Sequence, residues 1–268
     1  LPAPYWVSYA AIAQLAGAHI ADIPAGLDQA FKITPDQLAA ALTANSRLMI
    51  FSSPCNPTGT VYARAELEAL AEVIAQHPHL MVISDEIYEY IHYGDKPFSI
   101  GSLEVVKDRV ITVNGLSKGF AMTGWRLGYM GAPLWLAQAC GKMQGQFTSG
   151  TCSITQVAAI TALTADLTPT YAMRDAFAKR RGFMLEGIRD IPGMRCHEPE
   201  GAFYIFPDVT ELFGKRHARG SIDSASDLSM YLLEHAHVAT VTGEAFGAPD
   251  CIRLSYAASE SELREALK

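Results

Sequence analysis

Apolar residues along the chain fall into short unbroken runs separated by segments of helical period. Residues 48–53 (LMIFSS), 81–85 (MVISD) and 110–114 (VITVN) are almost wholly apolar and end in small or polar residues, as strands buried on both faces of a parallel sheet do. Between the first two, Leu67, Leu70, Ala71 and Ile74 recur at helical spacing within 65–76, which predicts a β-α-β unit. The alternation predicts an α/β fold, a mostly parallel sheet covered by helices, with ligand sites at the carboxyl ends of the strands. A long helical region is expected over about 155–189. Beyond it, residues 202–206 (AFYIF) and 251–256 (CIRLSY) read as strands on either side of a helix at about 226–235. The expected organisation is a large domain over 1–170 and part of a second, smaller α+β domain over 171–268.

Composition narrows the function. Hydrophobic residues make up 49% of the 268 and charged residues 18%, which excludes a disordered or low-complexity chain. With 21 Lys and Arg against 28 Asp and Glu the net charge is −7, so nucleic acid and anionic membrane surfaces are disfavoured as partners. No apolar stretch approaches the roughly 18 to 20 residues of a membrane helix. The 5 cysteines form no CxxC pair, which suits free thiols in a reducing compartment and makes a cytoplasmic location the expectation.

Three clusters carry candidate chemistry. Ser84-Asp85-Glu86-Ile87-Tyr88 puts an acid at the end of an apolar strand with a phenol three residues on. Alone, such an Asp is a strand-end cap, but a carboxylate there needs a partner. In Asn114-Gly115-Leu116-Ser117-Lys118, followed by Arg126, a lysine sits between a buried strand and a glycine-rich, aromatic-flanked segment. It is one of only 8 lysines in the chain. Desolvation and a nearby cation would lower its pKa and free its amine for Schiff-base chemistry; alone, it is a loop cap. Ser53-Pro54-Cys55-Asn56-Pro57-Thr58-Gly59 is a strand end running into a two-proline turn, where an X-Pro bond can be cis.

Taken together and in this order, these stretches resemble the fold-type I, pyridoxal-phosphate-dependent aminotransferases of class I, most closely the subgroup with the bacterial aspartate aminotransferases. The resemblance runs from Pro4-Tyr5-Trp6 to Arg253-Leu254-Ser255-Tyr256. It implies pyridoxal 5′-phosphate as cofactor, held covalently by Lys118, with Asp85 on the pyridine nitrogen. It further implies Asn56 and Tyr88 on the ring's phenolic oxygen, Ser117 and Arg126 on the phosphate, and Trp6 stacked on the ring. Arg253 would clamp the substrate carboxylate, with Trp6 and Asn56 also facing substrate. Lys118 would act as general base, with Asp85 and Tyr88 as its catalytic partners, and the expected reaction is transamination of L-aspartate with 2-oxoglutarate. A homodimer is expected, because relatives complete each site from a second subunit.

Some features depart from that pattern. Gly115 stands where many relatives carry a phosphate-binding Ser, and Ala63 where an N-cap Ser is common. His77-Pro78-His79 and His235-Ala236-His237 are i, i+2 pairs that share no helix face, so no metal site is expected. An aromatic-preferring aminotransferase, a lyase or a decarboxylase on the same fold would use the same Lys118, Asp85 and Arg253. A regulatory module that has lost catalysis is the alternative outside enzymes. The chain opens Leu1-Pro2-Ala3 with no Met or signal pattern, and relatives carry about a further third upstream. The expectation is therefore a fragment lacking its N-terminal part, and intact mass spectrometry of the expressed protein should exceed 29.0 kDa substantially.

Overall fold

The computed structural model of the chain describes residues 1–217 and 220–268. Its first half runs β1 (Pro2–Ala3), α1 (Ser8–Leu15), β2 (Ile23–Pro24), α2 (Pro35–Ala41), β3 (Leu48–Ser52), α3 (Arg64–Ala75), β4 (Met81–Asp85), β5 (Val110–Gly115) and β6 (Gly128–Gly131). Three helices follow, α4 (Leu134–Phe147), α5 (Ser153–Thr164) and α6 (Thr168–Arg189). The remainder holds β7 (Tyr204–Ile205), β8 (Lys215–His217), β9 (Gly220–Ile222), α7 (Ala225–Ala236), β10 (Val241–Thr242), β11 (Ile252–Ser255) and α8 (Glu260–Ala266).

These elements group into two units. The first comprises Leu1–Ile33, Cys55–Val61 and Asp175–Lys268, the second Thr34–Pro54 and Tyr62–Arg174. The expected division at residue 170 differs from this grouping, because residues 1–33 and 55–61 associate with the C-terminal part. The bonds responsible are long-range. The Tyr5 N–H donates to the Phe246 carbonyl at 3.0 Å, and the Glu200 and Gly201 N–H groups both donate to the Gly59 carbonyl at 2.8 Å.

In the second unit the sheet order is β3-β4-β5-β6, parallel across the first three strands and antiparallel at β6. The three predicted strands are these parallel ones. Helix α3 buries Leu67, Leu70, Ala71 and Ile74, the residues its periodicity singled out, and burial of each of the two leucines and the isoleucine contributes about 1.5–3 kcal/mol. No hydroxyl caps its start; instead the Glu66 carboxylate accepts the Ala63 N–H at 2.6 Å, which supplies half of a capping box.

In the first unit β7, β11 and β10 form an antiparallel sheet in the order β10-β11-β7. Its core includes Val209, Leu212, Ile222, Ala225, Leu228 and Ile252, where α7 packs. A second cluster joins Phe31, Phe206, Phe246 and Cys251.

Two sequence expectations change in detail. The single helical region over 155–189 is two helices, broken where the Asp166 carboxylate accepts the Thr168 N–H at 2.8 Å and caps the start of α6. The strand expected over 202–206 shortens to Tyr204–Ile205, because Ala202 is left-handed at φ 56° and cannot extend the ladder.

Gly59 closes the turn that carries Asn56. Its φ is +71°, and an added Cβ would sit 2.8 Å from the Gly201 carbonyl oxygen and collide with Pro199. Gly59→Ala is expected to destabilise the first unit by about 1–3 kcal/mol, read as a lower midpoint in denaturant unfolding; an unchanged midpoint would show that the Pro199 loop yields freely.

Candidate functional site

Asp85 ends β4 between two parallel neighbours, in register with Ser52 of β3 and Val113 of β5. Its backbone carbonyl accepts from the Ser53 N–H at 3.2 Å, and the next residue's N–H donates to the Val113 carbonyl at 2.8 Å. The carboxylate itself accepts the Ile87 N–H at 3.1 Å, so the chain turns directly after the acid and Tyr88 lies buried one turn on. The Ser52 hydroxyl, paired with Asp85 across the ladder, is buried without a hydrogen-bond partner among the described residues.

The adjacent strand carries Lys118. After β5 the chain makes a closed loop: the Leu116 N–H donates to the Leu127 carbonyl at 3.3 Å, and the Met122 N–H to the Leu116 carbonyl at 3.2 Å. Closure at Leu116 and Leu127 sets their neighbours Ser117 and Arg126 at the mouth of the loop. The Thr123 hydroxyl donates to the Ser117 carbonyl at 2.7 Å, and Arg126 donates through Nη1 to the Thr123 carbonyl at 2.9 Å. Arg126 is left-handed at φ 56° and lines a cavity of about 710 Å³ together with Trp125, Gln144, Thr148, Thr151 and Cys152. Gly115 has no room for a hydroxymethyl group: a Cβ would lie 2.9 Å from the Leu127 carbonyl and 3.1 Å from the Gly128 Cα. The departure from a serine at this position thus accompanies a tight β5–β6 crossing.

In the first unit Arg253, on β11, donates from Nη1 to the Asn56 Oδ1 at 2.9 Å. Its guanidinium lies 4.5 Å from the Tyr204 ring centroid and 5.0 Å from that of Phe246, and its Nε is buried without a partner among the described residues. Two ring faces suit the charged guanidinium, and its Nε is a donor left over. The Asn56–Pro57 bond is cis. Trp6 is 39% exposed and meets Tyr9 edge-on, at 5.6 Å between centroids. The structure thus joins Asn56 to Arg253 in one unit. It places Asp85, Tyr88, Ser117, Lys118 and Arg126 on two neighbouring strand ends of the other.

Several contributors had no signal in the sequence. Tyr204 reads there as core and Phe246 as nothing in particular, yet both flank Arg253. Thr123 lies within a motif without standing out from it. Among the described residues no three His, Cys, Asp or Glu side chains come together as a metal site, and no helix is long and apolar enough to cross a membrane. All 5 cysteines are free. Burial pushes the Cys251 thiol up to about 12, whereas Cys152, at the start of α5, is lowered by the Thr155 and Ile154 N–H groups.

Asp85 thus ends β4, Lys118 follows the adjacent strand β5 by three residues, and Arg126 lies in the same loop as the lysine. The chain belongs to the class I and II aminotransferase family, whose model matches residues 1–268. A bifunctional aspartate aminotransferase and glutamate/aspartate-prephenate aminotransferase from Petunia hybrida is 47% identical over 100% of this chain and 57% of its own. An aspartate/prephenate aminotransferase from Cereibacter sphaeroides is 43% identical, covering 99% of this chain and 67% of that one. Among solved structures, the aspartate aminotransferase of Rhizobium meliloti superposes with a TM-score of 0.96 at 40% identity, over 99% of this chain and 67% of that one. An aromatic aminotransferase from Pyrococcus horikoshii gives 0.92 at 37%, over 98% and 69%. The chain thus spans little more than half the length of the plant relative.

Glu86, next to Asp85, is half-buried and accepts from the Ser84 and Ser99 hydroxyls at 2.9 and 2.6 Å. Burial raises its carboxyl above the ordinary value of 4.5; the Glu89 and Asp85 charges add to this, and the two hydroxyls oppose it. The folded state therefore binds this proton more tightly than the unfolded state. The stability it contributes is full below pH 4.5 and is lost as pH rises through the raised value. Glu86→Gln keeps an oxygen acceptor and removes the buried charge, so its Tm should exceed that of the wild type at pH 8, with the gain vanishing below about pH 4.5. A gain that stays constant with pH would refute the assignment.

Proposed function

We propose that this chain is the cofactor- and carboxylate-binding part of a pyridoxal-phosphate-dependent aminotransferase that transfers the amino group of L-aspartate to 2-oxoglutarate, giving oxaloacetate and L-glutamate. The observation that supports the reading is that Asp85 ends β4 while Lys118 lies three residues past the carboxyl end of the adjacent parallel strand β5. The donor set suits the cofactor group by group. A carboxylate (Asp85) suits the pyridine nitrogen, a buried phenol (Tyr88) the ring oxygen, an amine (Lys118) the aldehyde, and a guanidinium with a hydroxyl (Arg126, Ser117) the phosphate. Trp6 is assigned to the face of the ring, and Asn56 to the ring oxygen and the substrate.

Bound pyridoxal phosphate supplies an electron-poor ring that takes up the electron pair left when an amino acid loses its Cα proton. Asp85 favours the protonated, electron-accepting ring by placing a negative charge beside its nitrogen. Lys118 would hold the cofactor covalently, and its Nζ would serve as the general base for the substrate's Cα proton. Arg253 binds the substrate α-carboxylate, with Asn56 and the Tyr204 and Phe246 rings fixing the direction in which its fork points.

The names of the relatives support aspartate as the amino donor. The similar Pyrococcus horikoshii structure keeps an aromatic amino acid as the second reading. Keto-acid production from a panel of amino acids separates the two, and release of ammonia or CO₂ without an acceptor would sink both. The apolar side chains that α4 and α5 leave exposed, among them Leu134, Trp135, Phe147, Ile154 and Val157, support a homodimer. The free cysteines support the cytoplasm as compartment.

Lys118→Ala is expected to lose transamination by at least about 10²–10⁴-fold, the size of a general-base contribution, together with the visible absorbance of the bound cofactor. Turnover at the wild-type level would rule out the assignment. Arg253→Ala is expected to raise the KM for the amino acid about tenfold to a hundredfold, the worth of one or more charge-assisted hydrogen bonds. An unchanged KM would place the carboxylate elsewhere.

A further inference from the structure

The turn carrying Asp85 and Tyr88 and the loop carrying Ser117 and Lys118 are separate in sequence, and a small set of contacts fixes one to the other. Asn114, buried on β5, donates from Nδ2 to the Glu89 Oε2 at 2.7 Å, while its Oδ1 accepts the Gly115 N–H at 2.8 Å. Glu89 directly follows Tyr88, and its other oxygen faces Lys96 at 3.8 Å. On one side of this bond a Cβ at Gly115 would come within 3.2 Å of the Ile87 Cδ1. On the other, a Cβ at Gly119 would come within 2.8 Å of the Tyr90 ring, and that ring meets Phe120 edge-on at 5.3 Å. Residues 87–90 and 114–120 are thus pressed together by packing, and Asn114–Glu89 is their polar link. A neutral amide donating to a carboxylate is a strong bond, and burial of the Asn side limits competition from water.

We propose that Asn114 and Glu89 are positioning residues. Their hydrogen bond holds the Asp85–Tyr88 turn in register with the Lys118 loop, so that the two halves of the cofactor's donor set are pre-arranged before it binds. The inference rests on the pyridoxal phosphate reading above. Without the bond, the two segments must be ordered on binding, which weakens affinity for the cofactor. A lysine displaced by a fraction of an ångström lowers kcat more than it alters KM.

The test uses the full-length protein and pyridoxal phosphate itself, titrated into apoprotein and followed by visible absorbance, with apoprotein thermal unfolding recorded in parallel. Asn114→Ala and Glu89→Leu should each weaken cofactor binding about tenfold, the worth of one charge-assisted hydrogen bond, and lower kcat with little change in the amino acid KM. Glu89→Gln keeps an oxygen acceptor and should restore most of the affinity. The double variant Asn114→Ala with Glu89→Leu should be no worse than either single one, as expected when two groups act through one bond. Glu89 is partly exposed, so its variants test the link even where Asn114→Ala unfolds. Normal cofactor binding in wild type with unchanged affinity in Glu89→Leu would overturn the brace alone, as would losses in Glu89→Leu and Glu89→Gln that match and simply follow lower apoprotein stability. Failure of the wild type to take up pyridoxal phosphate would overturn the functional reading and the brace with it.

Discussion

The parallel ladder of β3, β4 and β5 is the constraint from which the rest follows. Parallel strands bring like ends together, and here the shared end is where Ser52, Asp85 and Val113 stand in one row. The chain turns at once after this acid and offers its carboxylate a backbone N–H. The lysine arrives on the neighbouring strand's continuation, and the antiparallel return through β6 brings Arg126 back to the mouth of the same loop. The sheet's register sets the strand ends at or beside which Asp85, Lys118 and Arg126 stand.

The first unit solves a different problem with different means. Arg253 must remain charged and partly desolvated while keeping a donor unspent. Two aromatic faces and one amide oxygen achieve this: the rings exclude water and favour the cation, and Asn56 satisfies one nitrogen. Among the described residues no carboxylate forms an ion pair with it, unlike Arg195, whose partner Asp208 lies 2.9 Å away.

The parallel strands and α3 were legible in the sequence because an apolar run buried on both faces admits few alternatives, and because Leu67, Leu70, Ala71 and Ile74 share a helical face. Strand β6 was not: Gly128-Tyr129-Met130-Gly131 is bounded by glycines and wholly exposed, so neither burial pattern nor propensity announces it. The chemically unusual residues were legible as motifs, since Asp85, Lys118 and Arg126 lie within or beside the strands that position them. What joins them was not. Asn114 reaches Glu89 across 25 residues and Arg253 reaches Asn56 across 197, and nothing local at either end encodes such a pairing. The same limit holds for residues 1–33, whose partners, such as Phe246, are distant in sequence.

The two extreme thiols have a practical consequence. An alkylating dye reacts through thiolate, a form that burial disfavours at Cys251 and that the Thr155 and Ile154 N–H groups favour at Cys152, exposed at the head of α5. A maleimide fluorophore added sparingly would therefore load first at Cys152, on the wall of the cavity that Arg126 lines. The native chain carries its own attachment point for an optical reporter, and occupancy beside Arg126 becomes visible without engineering a cysteine.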